Sequence, residues 1–92
     1  MGFFGKKKAE KLLDEGMEFF KQGNFAAAEG KYLEALSFDP NSGAAHINYG
    51  DLLRKTGRPK AAEIEYRKAM IFEPDRGDPH AGLAQLYHSQ RR

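Results

Sequence analysis

The chain repeats itself at a distance of 34 residues. Sliding it by that distance lays residues 9–42 over 43–76. The identical pairs are Gly16/Gly50, Lys21/Lys55, Gly23/Gly57, Ala27/Ala61, Ala28/Ala62, Glu29/Glu63, Tyr32/Tyr66, Ala35/Ala69, Phe38/Phe72 and Pro40/Pro74. Leu13/Ile47, Phe19/Leu53, Leu36/Met70 and Asp39/Glu73 match conservatively. A second slide pairs Gly43/Gly77, His46/His80 and Leu52/Leu86. Such a period marks stacked units, none of which can bury its apolar face alone. The chain divides into an N-terminal segment 1–8, a first unit 9–42, a second unit 43–76 and half a unit over 77–92.

Inside a unit the apolar spacing is helical. Leu12, Leu13, Gly16, Phe19 and Phe20 recur at intervals of three and four, as do Ile47, Tyr49, Gly50, Leu52 and Leu53. Gly23 and Gly57 suit the turn after a first helix, and Pro59 suits the first position of a second. Asp39-Pro40 and Glu73-Pro74 stop that second helix, because a residue before proline avoids the helical region. Asn41 or Ser42, then Asp75 or Asp78, can cap the helix that follows. The spacing therefore predicts five helices near 7–22, 25–38, 43–56, 59–72 and 78–89. Gly16, Gly50 and Ala84 hold one register position of the first helices, and Ala28 and Ala62 one of the second. Small residues there let the paired helices approach, and Tyr32 and Tyr66 fill the space between units.

Composition narrows the function class. Forty per cent hydrophobic and 30% charged residues describe an ordered domain. With no cysteine, disulfides and thiolate metal sites are excluded, and a cytoplasmic setting is expected. A net charge of +2, with no basic stripe interleaved with aromatics, argues against nucleic acid. No apolar run approaches the roughly 20 residues of a membrane span. At the N-terminus Phe3 and Phe4 precede Lys6, Lys7 and Lys8, the wrong order for a secretory signal, and Lys6 is wrong for myristoylation. The segment is expected to fray or to cover the first helix rather than to touch a membrane.

Period and residues together resemble the tetratricopeptide repeat. Its eight signature positions read Leu12, Glu15, Gly16, Phe19, Ala28, Tyr32, Ala35 and Pro40 in the first unit. They read His46, Tyr49, Gly50, Leu53, Ala62, Tyr66, Ala69 and Pro74 in the second, and the last helix supplies His80, Leu83, Ala84 and Tyr87. Glu15 at an apolar place, histidine at the tryptophan place and Gly30 within a helix depart from the pattern. The resemblance implies an all-α fold, a right-handed α-solenoid of about two and a half helix-turn-helix units, with the first helices lining a concave groove.

That groove, by the same resemblance, takes a peptide or helix of a partner protein. Its expected lining is Glu10, Leu13, Asp14, Met17, Phe20 and Lys21, then Ala44, Ile47, Asn48, Asp51, Arg54 and Lys55, then Asp78, Ala81, Gly82, Gln85, His88 and Ser89. Leu13, Met17, Phe20 and Ile47 form an apolar strip for an amphipathic helix, and Asn48 can both donate to and accept from a partner's backbone. Relatives that clamp chaperone tails need cationic and amide residues where this chain has Leu13, Met17, Asp78 and Gly82, so that ligand is not expected. Arg54, Lys55, Arg58 and Lys60 could meet an acidic peptide, or simply finish a helix where cations are favoured. His46, His80 and His88 lack ligand companions and read as core-edge residues. No nucleophile–base set or phosphate loop occurs, so neither catalysis nor a cofactor is expected. The competing expectation is assembly, in which an uncapped first unit and its phenylalanines build a homodimer or larger oligomer.

Overall fold

The computed structural model describes residues 2–74 and 78–90. They form α1 (Gly2–Lys21), α2 (Phe25–Phe38), α3 (Gly43–Lys55), α4 (Pro59–Phe72) and α5 (Asp78–Gln90), with no strand among them. Four helices fall within a residue or so of the spacing that predicted them. The exception is α1, which begins at Gly2 and absorbs most of the expected separate segment 1–8. The cause is contact with α2. Gly5 is buried, and a Cβ there would lie 3.1 Å from the carbonyl oxygen of Phe38. Lys8 Nζ sits 5.6 Å from the centre of the Phe38 ring, and Ala9 and Leu12 cluster with Ala35. Phe4 does not fold back as a cover, being 83% exposed. The side chain of Phe3 lies outside the described residues.

Both inter-helix turns use glycine in the left-handed region, Gly23 at φ 79° and Gly57 at φ 78°. The amide of Asn24 donates to Phe19 O at 2.9 Å and that of Gly23 to Phe20 O at 3.0 Å; Arg58 and Gly57 repeat this onto Leu53 and Arg54. These paired bonds satisfy carbonyls that a helix end would otherwise leave open. Asn24 Oδ1 accepts from the Ala27 amide at 3.4 Å, and Ser42 Oγ from the Ala45 amide at 3.1 Å. Of the two caps expected for α3, Ser42 is the one used. Asp75 and the side chain of Asp78, expected to cap α5, lie outside the described residues.

Packing runs from neighbour to neighbour: α1 on α2, α2 on α3, α3 on α4, and α5 on α3 and α4. Tyr32 and Tyr66 organise it. A Cβ on Gly16 would come 2.6 Å from the Tyr32 ring, and one on Gly50 would come 2.7 Å from the Tyr66 ring. One on Gly82 would stand 2.5 Å from Tyr66 as well. Each tyrosine thus closes its own hairpin, and Tyr66 also seats α5 upon the second unit. Ala84 shares the register of Gly16 and Gly50 but is exposed, since no described helix packs upon that face.

Polar groups bind the joints. Glu29 on α2 accepts from Tyr49 Oη at 3.1 Å and, as a two-pronged pair, from Arg58 at 3.0 and 2.9 Å. One unit later Glu63 accepts from Tyr87 Oη at 3.0 Å and from Arg67. The repeated glutamate is therefore a clasp on a tyrosine of the next unit. Glu73, the C-cap residue of α4, caps the start of α3 in the same unit, its Oε1 accepting from the Gly43 amide at 2.6 Å. A negative group belongs at a helix N-terminus, and a Cβ on Gly43 would meet Glu73 at 2.8 Å. His46 is buried, its Nδ1 2.7 Å from Glu65 Oε1 and its Nε2 2.7 Å from the Pro40 carbonyl.

Two glycine substitutions separate packing from propensity. Gly50→Ala forces the pinned Tyr66 ring to move and should destabilise by about 1–3 kcal/mol. Gly30→Ala meets nothing within 4 Å in mid-α2 and should stabilise by about 0.5–1 kcal/mol. Urea unfolding followed by circular dichroism gives both values.

Candidate partner-binding groove

The expected lining falls on α1, α3 and α5, and its described residues are not equally accessible. Leu13 is 9% exposed and Ile47 5% exposed. Leu13 packs with Ala28, Tyr32, Ala45 and Leu52. Both residues therefore belong to the core, and the expected four-residue apolar strip shrinks to two. Met17 remains accessible at 38%, and Phe20 is half-buried with its ring tilted on Phe25 at 5.3 Å between centres. The reason is geometric: Leu13 and Ile47 stand at the seam where α1 and α3 turn toward the second helices, so closing the hairpins covers them.

What the fold does bring together is a small cleft of about 100 Å³ lined by Met17, Phe20, Lys21, Tyr32, Asn48 and Asp51. Its floor is the Tyr32 ring, which the sequence assigns to inter-unit packing alone. Asn48 sits 34 residues before Gly82 and so occupies the register that faces the tyrosine of the preceding unit. Its half-buried amide has no hydrogen-bond partner among the described residues. Burial, with Asp51 nearby, pushes the Tyr32 phenol up to about 12, so it stays neutral beneath the cleft.

Beyond the cleft, Asp51 and Arg54 are held rather than loose. Tyr66 Oη donates to Asp51 Oδ1 at 2.5 Å, Arg54 Nε donates to Tyr66 Oη at 3.3 Å, and Arg54 Nη2 lies 3.7 Å from Asp51. Burial and the Asp51 hydrogen bond raise the Tyr66 phenol to about 12, which keeps it a donor. Lys55, Gln85 and His88 are exposed, and Gly82 is covered by Tyr66. The side chains of Asp78, Ala81 and Ser89 lie outside the described residues.

The basic run is dispersed. Arg58 is committed to Glu29 and Arg54 to Tyr66 and Asp51, which leaves Lys55 and Lys60 as exposed cations. His46 is engaged at both ring nitrogens and stacks on Phe72 at 5.6 Å, as a core-edge histidine should. The His80 side chain lies outside the described residues, and His88 is exposed. Among the described residues no group of three or more His, Cys, Asp or Glu side chains could hold a metal ion.

Larger clefts escaped the sequence, two of them where the units meet. One of about 550 Å³ includes Lys6, Glu10, Asp39, Asn41, Ala44 and Glu73, at the end of the groove where α1 meets both unit-to-unit turns. The other, about 360 Å³, lies between α2 and α4 and includes Leu33, Leu36, Tyr49, Lys68 and Phe72. Periodicity assigns a residue to a helix face; it does not show which turns close over that face.

A family model described as the tetratricopeptide repeat matches residues 13–79. None of the curated proteins matches the chain significantly.

The Arg58 pair holds the Glu29 carboxyl below its ordinary value of 4.5, against the opposing pull of burial. A lowered carboxylate stabilises the fold above its ordinary value, and that stability is lost as pH falls through the folded one. Glu29→Gln keeps the Tyr49 acceptor but removes the charge. It should therefore lower the urea midpoint at pH 7, lower it much less near pH 3, and have little effect in an Arg58→Ala background. Urea titrations of the four proteins at the two pH values check this.

Proposed function

The chain belongs to the tetratricopeptide repeat family, whose repeats generally mediate protein–protein interaction and do so without chemistry, and from this we propose that its concave face holds a peptide or helix of a partner protein. The observation that carries the reading is the cleft of Met17, Phe20, Tyr32, Asn48 and Asp51. It combines an adaptable thioether, an aromatic wall and an amide with both a donor and an acceptor to offer. A partner side chain would enter between Met17 and Phe20 while Asn48 holds its backbone. Asp51 and Arg54, fixed by Tyr66, would set register through charge, and Lys55, Gln85 and His88 would form an exposed rim. The reading includes no catalysis and a cytoplasmic setting. No described helix is long and apolar enough to cross a membrane.

Peptides selected from a random library against the chain give the test. Against one such peptide, Asn48→Ala and Met17→Glu should each weaken binding tenfold or more, and Lys60→Ala, outside the groove, should not change it. Unchanged affinity in both groove variants would place the site elsewhere.

A second reading, self-association, is favoured by the apolar side chains that the second helices leave outward. Leu33 is 48% exposed, Ile64 54% and Ile71 73%. At the Ile64 and Ile71 positions the first unit has Gly30 and Ser37. Sedimentation at rising concentration should then show a dimer that Ile64→Lys/Ile71→Lys returns to monomer. A wild-type monomer throughout removes this reading and leaves the groove reading standing.

A further inference from the structure

We propose that the N-terminal turns of α1 form a docking surface for anionic membrane lipid, separate from the groove. Gly5, in the first turn of α1, lies against the carbonyl of Phe38, the final residue of α2, so Phe4 stands at the end of the hairpin. Gly5, Ala9 and Leu12 face inward. Lys7 and Lys8 lie three and four residues after Phe4, and Lys11 four and three after them, so the four share one helix stripe; all are exposed, while Lys6 is exposed on another face, at the groove-end cleft. No acidic residue precedes Glu10. The sequence alone suggests fraying or self-covering; instead the segment is a helix that holds an 83% exposed phenylalanine at its tip, with lysines behind it.

That arrangement matches the layered chemistry of a bilayer face. An aromatic ring at the tip can enter the headgroup boundary, while amines one to two turns behind reach lipid phosphates and carboxylates. Each lysine close to an anionic surface strengthens binding about fivefold. Nucleic acid fits less well, because it asks for cations and aromatics alternating along a track, and the stripe ends at Lys11. Salt sensitivity follows, since screening acts on exposed charge.

The sequence has no tryptophan, so Phe4→Trp supplies a single fluorescent reporter at the tip. With vesicles of phosphatidylcholine and phosphatidylserine at 3:1, the expected result is a blue-shifted emission and co-sedimentation. Both should fade between 50 and 500 mM salt and be absent with phosphatidylcholine alone. Lys7→Glu/Lys11→Glu in the same background should bind tenfold more weakly or worse, with helicity by circular dichroism unchanged. Lys7→Gln/Lys11→Gln repeats the test should charge reversal perturb the helix. No binding to the anionic vesicles, equal binding to neutral ones, or lysine variants that bind like the parent would overturn the proposal. So would a single-stranded oligonucleotide that binds while the vesicles do not.

Discussion

The ring of Tyr66 lies against two glycines on different helices, Gly50 in its own unit and Gly82 in the next. A methyl group at either place would stand well inside van der Waals contact. This close seat sets the distance between α3 and α4 and the position of α5 upon both. Tyr32 against Gly16 does the same for the first hairpin. Because each unit leans only on its neighbour, stability in this architecture is a sum of local joints and not the property of one central core. That suits a chain of 92 residues, which could build only a thin single core.

Directional bonds then fix what the rings leave free. An aromatic surface can slide; a carboxylate that accepts from a tyrosine of the next unit cannot slide far. Glu29 and Glu63 do this at equivalent positions with different cations, Arg58 from the following turn and Arg67 from the same helix. His46 adds a buried polar link between the Pro40 turn and Glu65 on α4. Its partners are a carbonyl and a carboxylate, so the ring is oriented at both ends.

The same economy shapes the functional surfaces. Every apolar group that closes a joint is lost to the groove, which is why Leu13 and Ile47 are core while Met17 and Phe20 remain at the cleft. Conversely, Asp51 and Arg54 are already ordered by Tyr66, and ordering a loose arginine on binding would cost rotamer entropy. The surface at the start of α1 follows another rule. Most of it precedes the first repeat unit, and Lys7, Lys8 and Lys11 gather there on one exposed face.

Taken alone, the sequence determined the number of helices, their order and the residues that must be small or aromatic. A 34-residue period repeats local demands, and local demands are what glycine, proline and apolar spacing encode. Its resemblance to the tetratricopeptide repeat also singled out Asn48 and Met17, which the fold brings into one cleft. It could not say that Leu13 and Ile47 would be covered, that Arg58 would leave the basic run for Glu29, or that α1 would continue back to Gly2. Those outcomes depend on distances between residues far apart in the chain, such as Gly5 and Phe38 or Glu29 and Arg58. Only the stacking of one hairpin on another sets such distances, and so only the tertiary structure decided which face of each helix stays open to a partner.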